Sequence, residues 1–108
     1  MVSVTIEDFY KKADSCHVMT RQEEVECAKK MKDGDMDARA LLIESYMPMV
    51  ASFLKRQQPD EQKLVLALYC QQTLEKLVDS FDFLQDSEPF SHRLNWGLRQ
   101  AAVQYRVR

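Results

Sequence analysis

Apolar residues recur along this chain at helical spacing almost throughout. Near the end, Leu94, Leu98, Ala101 and Tyr105 fall at i, i+4, i+7 and i+11, one stripe of an amphipathic helix that begins after Pro89. Trp96, Arg99, Gln100 and Val103 fall at i, i+3, i+4 and i+7 and make a second face of the same helix. Further up the chain, capping residues mark where helices start. Thr5 is a candidate cap, with Asp8 three residues on and with Val4 and Phe9 placed as a hydrophobic staple. The pattern predicts a first helix from about Ile6 to Asp14, burying Phe9 and Ala13 with Tyr10 beside them. Thr20-Arg21-Gln22-Glu23 is a stronger capping box. It opens a second helix carrying Val25, Ala28 and Met31, which Gly34 should end.

Asp35 caps a predicted long third helix with Ala38, Leu41, Leu42, Met49, Val50, Phe53 and Leu54 on its apolar side. Pro48 removes one backbone donor and clashes with the preceding turn, so a kink is expected there. Gln57-Gln58-Pro59-Asp60 breaks the chain, and Asp60 is a candidate cap for a fourth helix from about Glu61 to Asp79. From Leu64 to Cys70 every residue of that helix is apolar or aromatic. A surface helix needs one apolar stripe, so this segment is either central in the core or shows a second face to a partner. The elements predict an all-α fold, a compact bundle of about five helices forming a single domain over residues 1–108, without internal repeats or a dividing linker.

Composition agrees with that class. The chain has 108 residues, 45% hydrophobic and 30% charged, with two glycines and three prolines, so helix formers dominate and turn formers are few. That length can bury a core of its own. No apolar run approaches the roughly 20 residues that span a bilayer, and the N-terminus lacks a signal-peptide profile. No membrane partner is expected, and a cytoplasmic location is. Cys16, Cys27 and Cys70 are odd in number and at no metal-ligand spacing, which fits reduced thiols, with Cys27 and Cys70 packed. His17 and His92 have no recognisable catalytic partners, and neither a phosphate loop nor a nucleophile motif is present. The expectation is a non-enzymatic protein without cofactor, metal or catalytic residue.

Charge is distributed unevenly. The formal net charge is -2, yet after Glu88 no acid remains while Arg93, Arg99, Arg106 and Arg108 follow. A basic end on an acidic body points to an anionic partner at that end. Trp96, Arg99 and Gln100 supply an aromatic plane, a guanidinium and an amide, which can stack on an unpaired base, hold a phosphate and touch a base edge. The alternative is that Trp96 is a half-buried packing residue and the arginines are solvated.

The order of these signals resembles the bacterial RNA polymerase sigma factor family. The resemblance starts at Thr20-Arg21-Gln22-Glu23-Glu24 and runs through Ala28-Lys29-Lys30, Gly34-Asp35, Ala38-Arg39 and Leu42-Ile43-Glu44. It includes Tyr46-Met47-Pro48-Met49-Val50, similar to the proline-containing version of alternative sigma factors. It continues with Lys55-Arg56, Leu74, Val78, Phe81-Asp82, Phe90-Ser91, Trp96 and Leu98-Arg99-Gln100-Ala101. It implies a sigma factor region 2-like fold over 35–108, preceded by region 1.2-like helices over 1–33. It also implies a role in transcription initiation, docking on the clamp helices of the largest subunit of core RNA polymerase and gripping the nontemplate strand of the minus-ten promoter element. The resemblance assigns DNA contact to Phe90, Arg93, Trp96, Arg99, Gln100, Val103 and Arg106, and partner contact to Val65, Leu68, Tyr69 and Gln72.

The departures from the family pattern are specific. Where the core-binding helix of the family reads like D-L-I-Q-E-G, this chain has Val65, Leu66, Ala67, Leu68, Tyr69 and Cys70, so two acids have become Val65 and Tyr69. The usual pair of tryptophans is Trp96 followed by Gly97, a loss of half the aromatic wedge. A family tyrosine matches Arg93 and a family threonine matches Val103, so Phe90, Trp96, Arg99 and Gln100 alone keep functional identity. No segment corresponds to the helix-turn-helix domain that reads the upstream promoter element. The expectation is an excised domain, or a stand-alone protein to which a second polypeptide supplies that part. An alternative is a degenerate sigma-like interaction or regulatory module, one half of a split sigma factor or a self-associating one, that no longer reads promoters.

Overall fold

The computed structural model describes residues 5–57, 63–84 and 88–107; these form six α-helices and, among the described residues, no strand. The helices are α1 (Ile6–Asp14), α2 (Arg21–Lys32), α3 (Met36–Ser45), α4 (Met47–Lys55), α5 (Lys63–Ser80) and α6 (Phe90–Val107). The all-α bundle expected from the sequence is present. Its expected third helix is divided into α3 and α4, which turns about five helices into six.

The helix starts follow the local chemistry. Thr5 caps α1, with Asp8 N donating to Thr5 Oγ1 at 3.2 Å and Thr5 N donating to Asp8 Oδ2 at 3.1 Å. The shorter aspartate thus completes the reciprocal box that Glu or Gln usually makes. Thr20 and Glu23 make the same pair of bonds at α2, at 2.9 and 3.2 Å. Asp35 accepts from Ala38 N at 3.1 Å and caps α3. Gly34 joins α2 to α3 at φ 92°, a conformation that side chains with a Cβ adopt rarely. The staple residue Val4, the cap Asp60 and the terminal Arg108 lie outside the described residues.

Pro48 ends one helix and starts another rather than kinking a continuous one. It sits in the first turn of α4, where a missing N–H leaves no bond unmade. Tyr46 is the junction, with φ -101° and ψ -1°. Its N–H bonds back to Ile43 O at 3.1 Å, and its own carbonyl accepts from Val50 N at 3.2 Å. The buried Ser45 hydroxyl is satisfied locally by Leu42 O at 2.7 Å. The Tyr46 hydroxyl donates to Glu24 Oε2 at 2.6 Å, which ties the junction to α2. Burial, then this bond, raise the Tyr46 pKa well above the ordinary phenol value.

The core is built from Leu42, Val50, Leu54, Leu74, Val78, Leu94 and Leu98, all fully buried, with Ala13 sealing it from α1. Leu41, placed by the pattern on the buried side of α3, is exposed, because Ala38, Leu42 and Ser45 define the inward stripe. Phe81, Phe83, Phe90 and Tyr46 cluster at the α5–α6 corner, with ring centroids 4.7–5.1 Å apart. Arg39 of α3 holds Asp79 of α5 through two bonds at 2.6 and 2.9 Å. No helix among the described residues is long and apolar enough to cross a membrane.

Candidate nucleic-acid interface on the last helix

The longest helix pair, α5 and α6, sets the site. Tyr69 meets Tyr105 at 5.9 Å between ring centroids, and Gly97 faces Thr73 and Leu77. As residue number rises in one helix it falls in the other, so the pair is antiparallel. A Cβ built on Gly97 would stand 2.8 Å from Leu77 Cδ1 and 3.2 Å from Thr73 Cγ2. Glycine is therefore what lets the two backbones approach. This corrects the reading of Gly97 as a vacant half of an aromatic wedge. The position is buried and turned toward α5, and a second indole there has no path to solvent.

One residue earlier, about 100° round the helix, Trp96 is turned to solvent. It is 60% exposed and has no ring partner among the described residues. Burial splits α6 cleanly. Phe90, Leu94, Gly97, Leu98, Ala101 and Ala102 are buried; His92, Arg93, Trp96, Arg99, Gln100 and Val103 are exposed. The two faces read from spacing are thus the inner and outer faces of one helix. Val103, 52% exposed, extends the apolar strip from Trp96 by two turns, about 10 Å along the axis.

The cations flank that strip. Among the described residues no carboxylate lies within ion-pair distance of Arg99. Arg93 is 3.8 Å from Glu88 Oε2, both half-exposed, a contact that water or a phosphate can replace at little cost. Arg106 lies at the far edge and donates to Gln57 Oε1 at 2.9 Å. Gln100 is exposed with its amide in solvent.

Phe90 does not belong to this surface. It is 3% exposed and packed among Tyr46, Phe81 and Phe83, so it cannot stack on a base while the fold is intact. It faces inward as the first residue of the helix stripe that Leu94, Leu98 and Ala101 continue. His92, without a recognisable catalytic partner in the sequence, is placed differently. It is exposed and lies one turn before Trp96 on the same face, a spacing of i, i+4 that was legible once the outer face was known.

The expected partner residues of α5 divide. Leu66, Ala67 and Cys70 are core, which answers the all-apolar run in part. Val65 and Leu68 are exposed, at 37% and 52%, and Gln72 is exposed beside them. Tyr69 is half-buried against Tyr105 and so belongs as much to the helix pairing as to the surface. The Cys70 thiol, fully enclosed, has its pKa pushed up to about 12 by desolvation. The two helices pack side by side, and each keeps an exposed face: Val65, Leu68 and Gln72 on α5, Trp96 and Val103 on α6.

A cavity of about 230 Å³ opens beside the start of α6, lined by Arg21, Glu24, Tyr46, Glu88, Pro89, Phe90 and Ser91. No group of three or more His, Cys, Asp or Glu side chains is placed to hold a metal ion among the described residues. Neither a protein-family model nor a curated protein matches the chain.

Proposed function

We propose that the chain is a sigma-factor-like DNA-binding protein of bacterial transcription initiation, with the outer face of α6 set against a single strand of minus-ten promoter DNA. It carries no chemistry of its own; the polymerase is the catalyst. One observation supports this reading above the others: a 60% exposed indole beside the solvent-facing Arg99, on a helix face without an acid. Water does not favour an exposed indole, and a base does, by about 1–3 kcal/mol for each base stacked. Arg99 and Arg93 then hold phosphates, and Gln100 reaches a base edge. The outer face of α5, through Val65, Leu68, Tyr69 and Gln72, is the surface assigned to core polymerase.

Trp96 is the sole tryptophan of the chain, so its emission reports on this site alone. Titration with a single-stranded minus-ten oligonucleotide at low salt should quench it, and added salt should reverse the quenching. Trp96→Ala should weaken binding, followed by anisotropy of a labelled oligonucleotide, by at least about fivefold. Absence of both quenching and anisotropy change at low salt rules the reading out.

A second reading has its own support. Val65 and Leu68 are exposed apolar side chains where the resembling family carries an acidic docking surface. On that reading α5 binds a protein, and promoter reading is lost. Light scattering together with a pull-down on core polymerase separates the two: a monomer that retains core polymerase favours the first.

A further inference from the structure

We infer that the protein associates with itself, the acidic outer face of α3 on one copy docking on the basic outer face of α5 on the next. This rests on the outer face of α5 being a protein-binding surface, and it names the partner. Among the described residues eight large apolar side chains are exposed, and four of them divide between these two helices. Met36 and Leu41 of α3 are exposed at 65% and 52%, Val65 and Leu68 of α5 at 37% and 52%. On α5 the exposed residues Val65, Leu68, Gln72 and Lys76 fall at i, i+3, i+7 and i+11, one stripe about 16 Å long. On α3 the exposed residues Asp37, Ala40, Leu41 and Glu44 fall at i, i+3, i+4 and i+7, one face about 10 Å long.

The charges of the two faces are complementary. The charged residues of α5 are Lys63, Glu75, Lys76 and Asp79. Both acids are engaged by α3 of the same copy. Asp79 holds Arg39 at 2.6 Å, and half-buried Glu75 adds to the field that keeps that guanidinium charged. Lys63 donates to Gln57 O at 3.5 Å. Lys76 is exposed and makes no ion pair among the described residues, so it stands as an outward cation on the apolar stripe. On α3 the balance is reversed. Its one base, Arg39, is taken by Asp79, whereas Asp37 and Glu44 are exposed and make no ion pair among the described residues. Neither face suits a copy of itself, because like charges would meet, but each suits the other. Faces this short fall below the roughly 1,200–2,000 Å² of stable interfaces, so the contact is weak and needs high concentration. A copy joined through one face still offers the other, which makes the contact heterologous.

The test is sedimentation velocity of the full chain from about 10 μM to about 1 mM, the range of weak contacts, with circular dichroism confirming the fold of each variant. The mass of wild type should rise with concentration. Leu41→Asp and Leu68→Asp, on the two faces, should each weaken association by at least about tenfold, as for an apolar side chain left unburied. Lys76→Glu should weaken it by up to about fivefold, as should Asp37→Lys with Glu44→Lys. All three reversals in one chain should restore it, which a loss of folding or of general solubility does not explain. Association that ignores Leu41→Asp, or that the combined reversal fails to restore, overturns the inference. If wild type stays monomeric while Leu68→Asp abolishes retention by core polymerase, the inference is wrong and α5 remains a protein-binding face. If wild type stays monomeric and Leu68→Asp leaves that retention unchanged, both fall together.

Discussion

Gly97→Ala is expected to destabilise the fold, although alanine is much the better helix former. Two effects oppose each other. Replacing an interior helix glycine by alanine gains about 1 kcal/mol, mainly from backbone entropy. Against that, the new methyl meets Leu77 Cδ1 at 2.8 Å and Thr73 Cγ2 at 3.2 Å. Leu77 offers the far end of a half-buried side chain and can turn away. Thr73 is held, because it is branched at Cβ and its hydroxyl donates to Tyr69 O at 3.0 Å. Overpacking of this kind costs about 1–3 kcal/mol, so the clash wins by about 1 kcal/mol at mid-range. For a domain of this size that lowers Tm by about 4–8 °C.

Urea and thermal unfolding followed by far-ultraviolet circular dichroism measure this without relying on the neighbouring Trp96. In a Leu77→Ala background the same substitution should cost less, because its closest contact is gone, and the double-mutant cycle gives the coupling. Gly97→Trp, which would give the adjacent tryptophans of the family the sequence resembles, should be far worse than alanine, since no space exists for the ring. A Gly97→Ala protein stabilised by the full helix gain would refute the close approach of α5 and α6, and with it the inward orientation of residue 97.

Phe90→Ala should cost about 3–5 kcal/mol in unfolding experiments, as for a buried aromatic, whereas a surface role for Phe90 predicts almost none. Cys70 should resist a thiol reagent in the native protein and react only on unfolding, while Cys16 and Cys27 react earlier; a stoichiometric titration distinguishes them. Arg39 holds the Asp79 carboxyl below its usual pKa, so the pair stabilises the fold above about pH 4 and loses that effect as pH falls through the folded value. Asp79→Asn should therefore cost up to about 1 kcal/mol at neutral pH, discounted for partial exposure, and should flatten the acid limb of the stability profile.

The parts of this fold that depend on neighbours in sequence were legible. Thr5, Thr20 and Asp35 act as caps because each needs only a backbone N–H three residues on, and Gly34 takes positive φ for an equally local reason. The division of α6 into two faces was legible from spacing as well. Which face looks inward was not, since that depends on where α5 lies. The same holds for Gly97, whose importance is a contact with Thr73 and Leu77 some twenty residues away. Phe90 was misplaced because identity with a family position says nothing of burial, and the three aromatic rings around it come from two other parts of the chain. Pro48 was read correctly as a disruption, but a proline in a first helical turn begins a helix as readily as it bends one.

Adjacent residues 96 and 97 carry the link from packing to recognition. Glycine at 97 brings α5 close, and the small side chains of Ala101 and Ala102 continue that inward face. A helix held this closely along its length presents its outer side chains from a fixed backbone. On the proposed reading, Trp96 is already exposed before a base reaches it, so no rearrangement of the fold precedes contact. The outer face of α5 carries a second exposed apolar patch, Val65 and Leu68. Where the resembling family has acids, this patch adds no negative charge to α5. On the proposed reading, valine at 65 and tyrosine at 69 are compatible with a strand on α6, because neither side chain repels its phosphates.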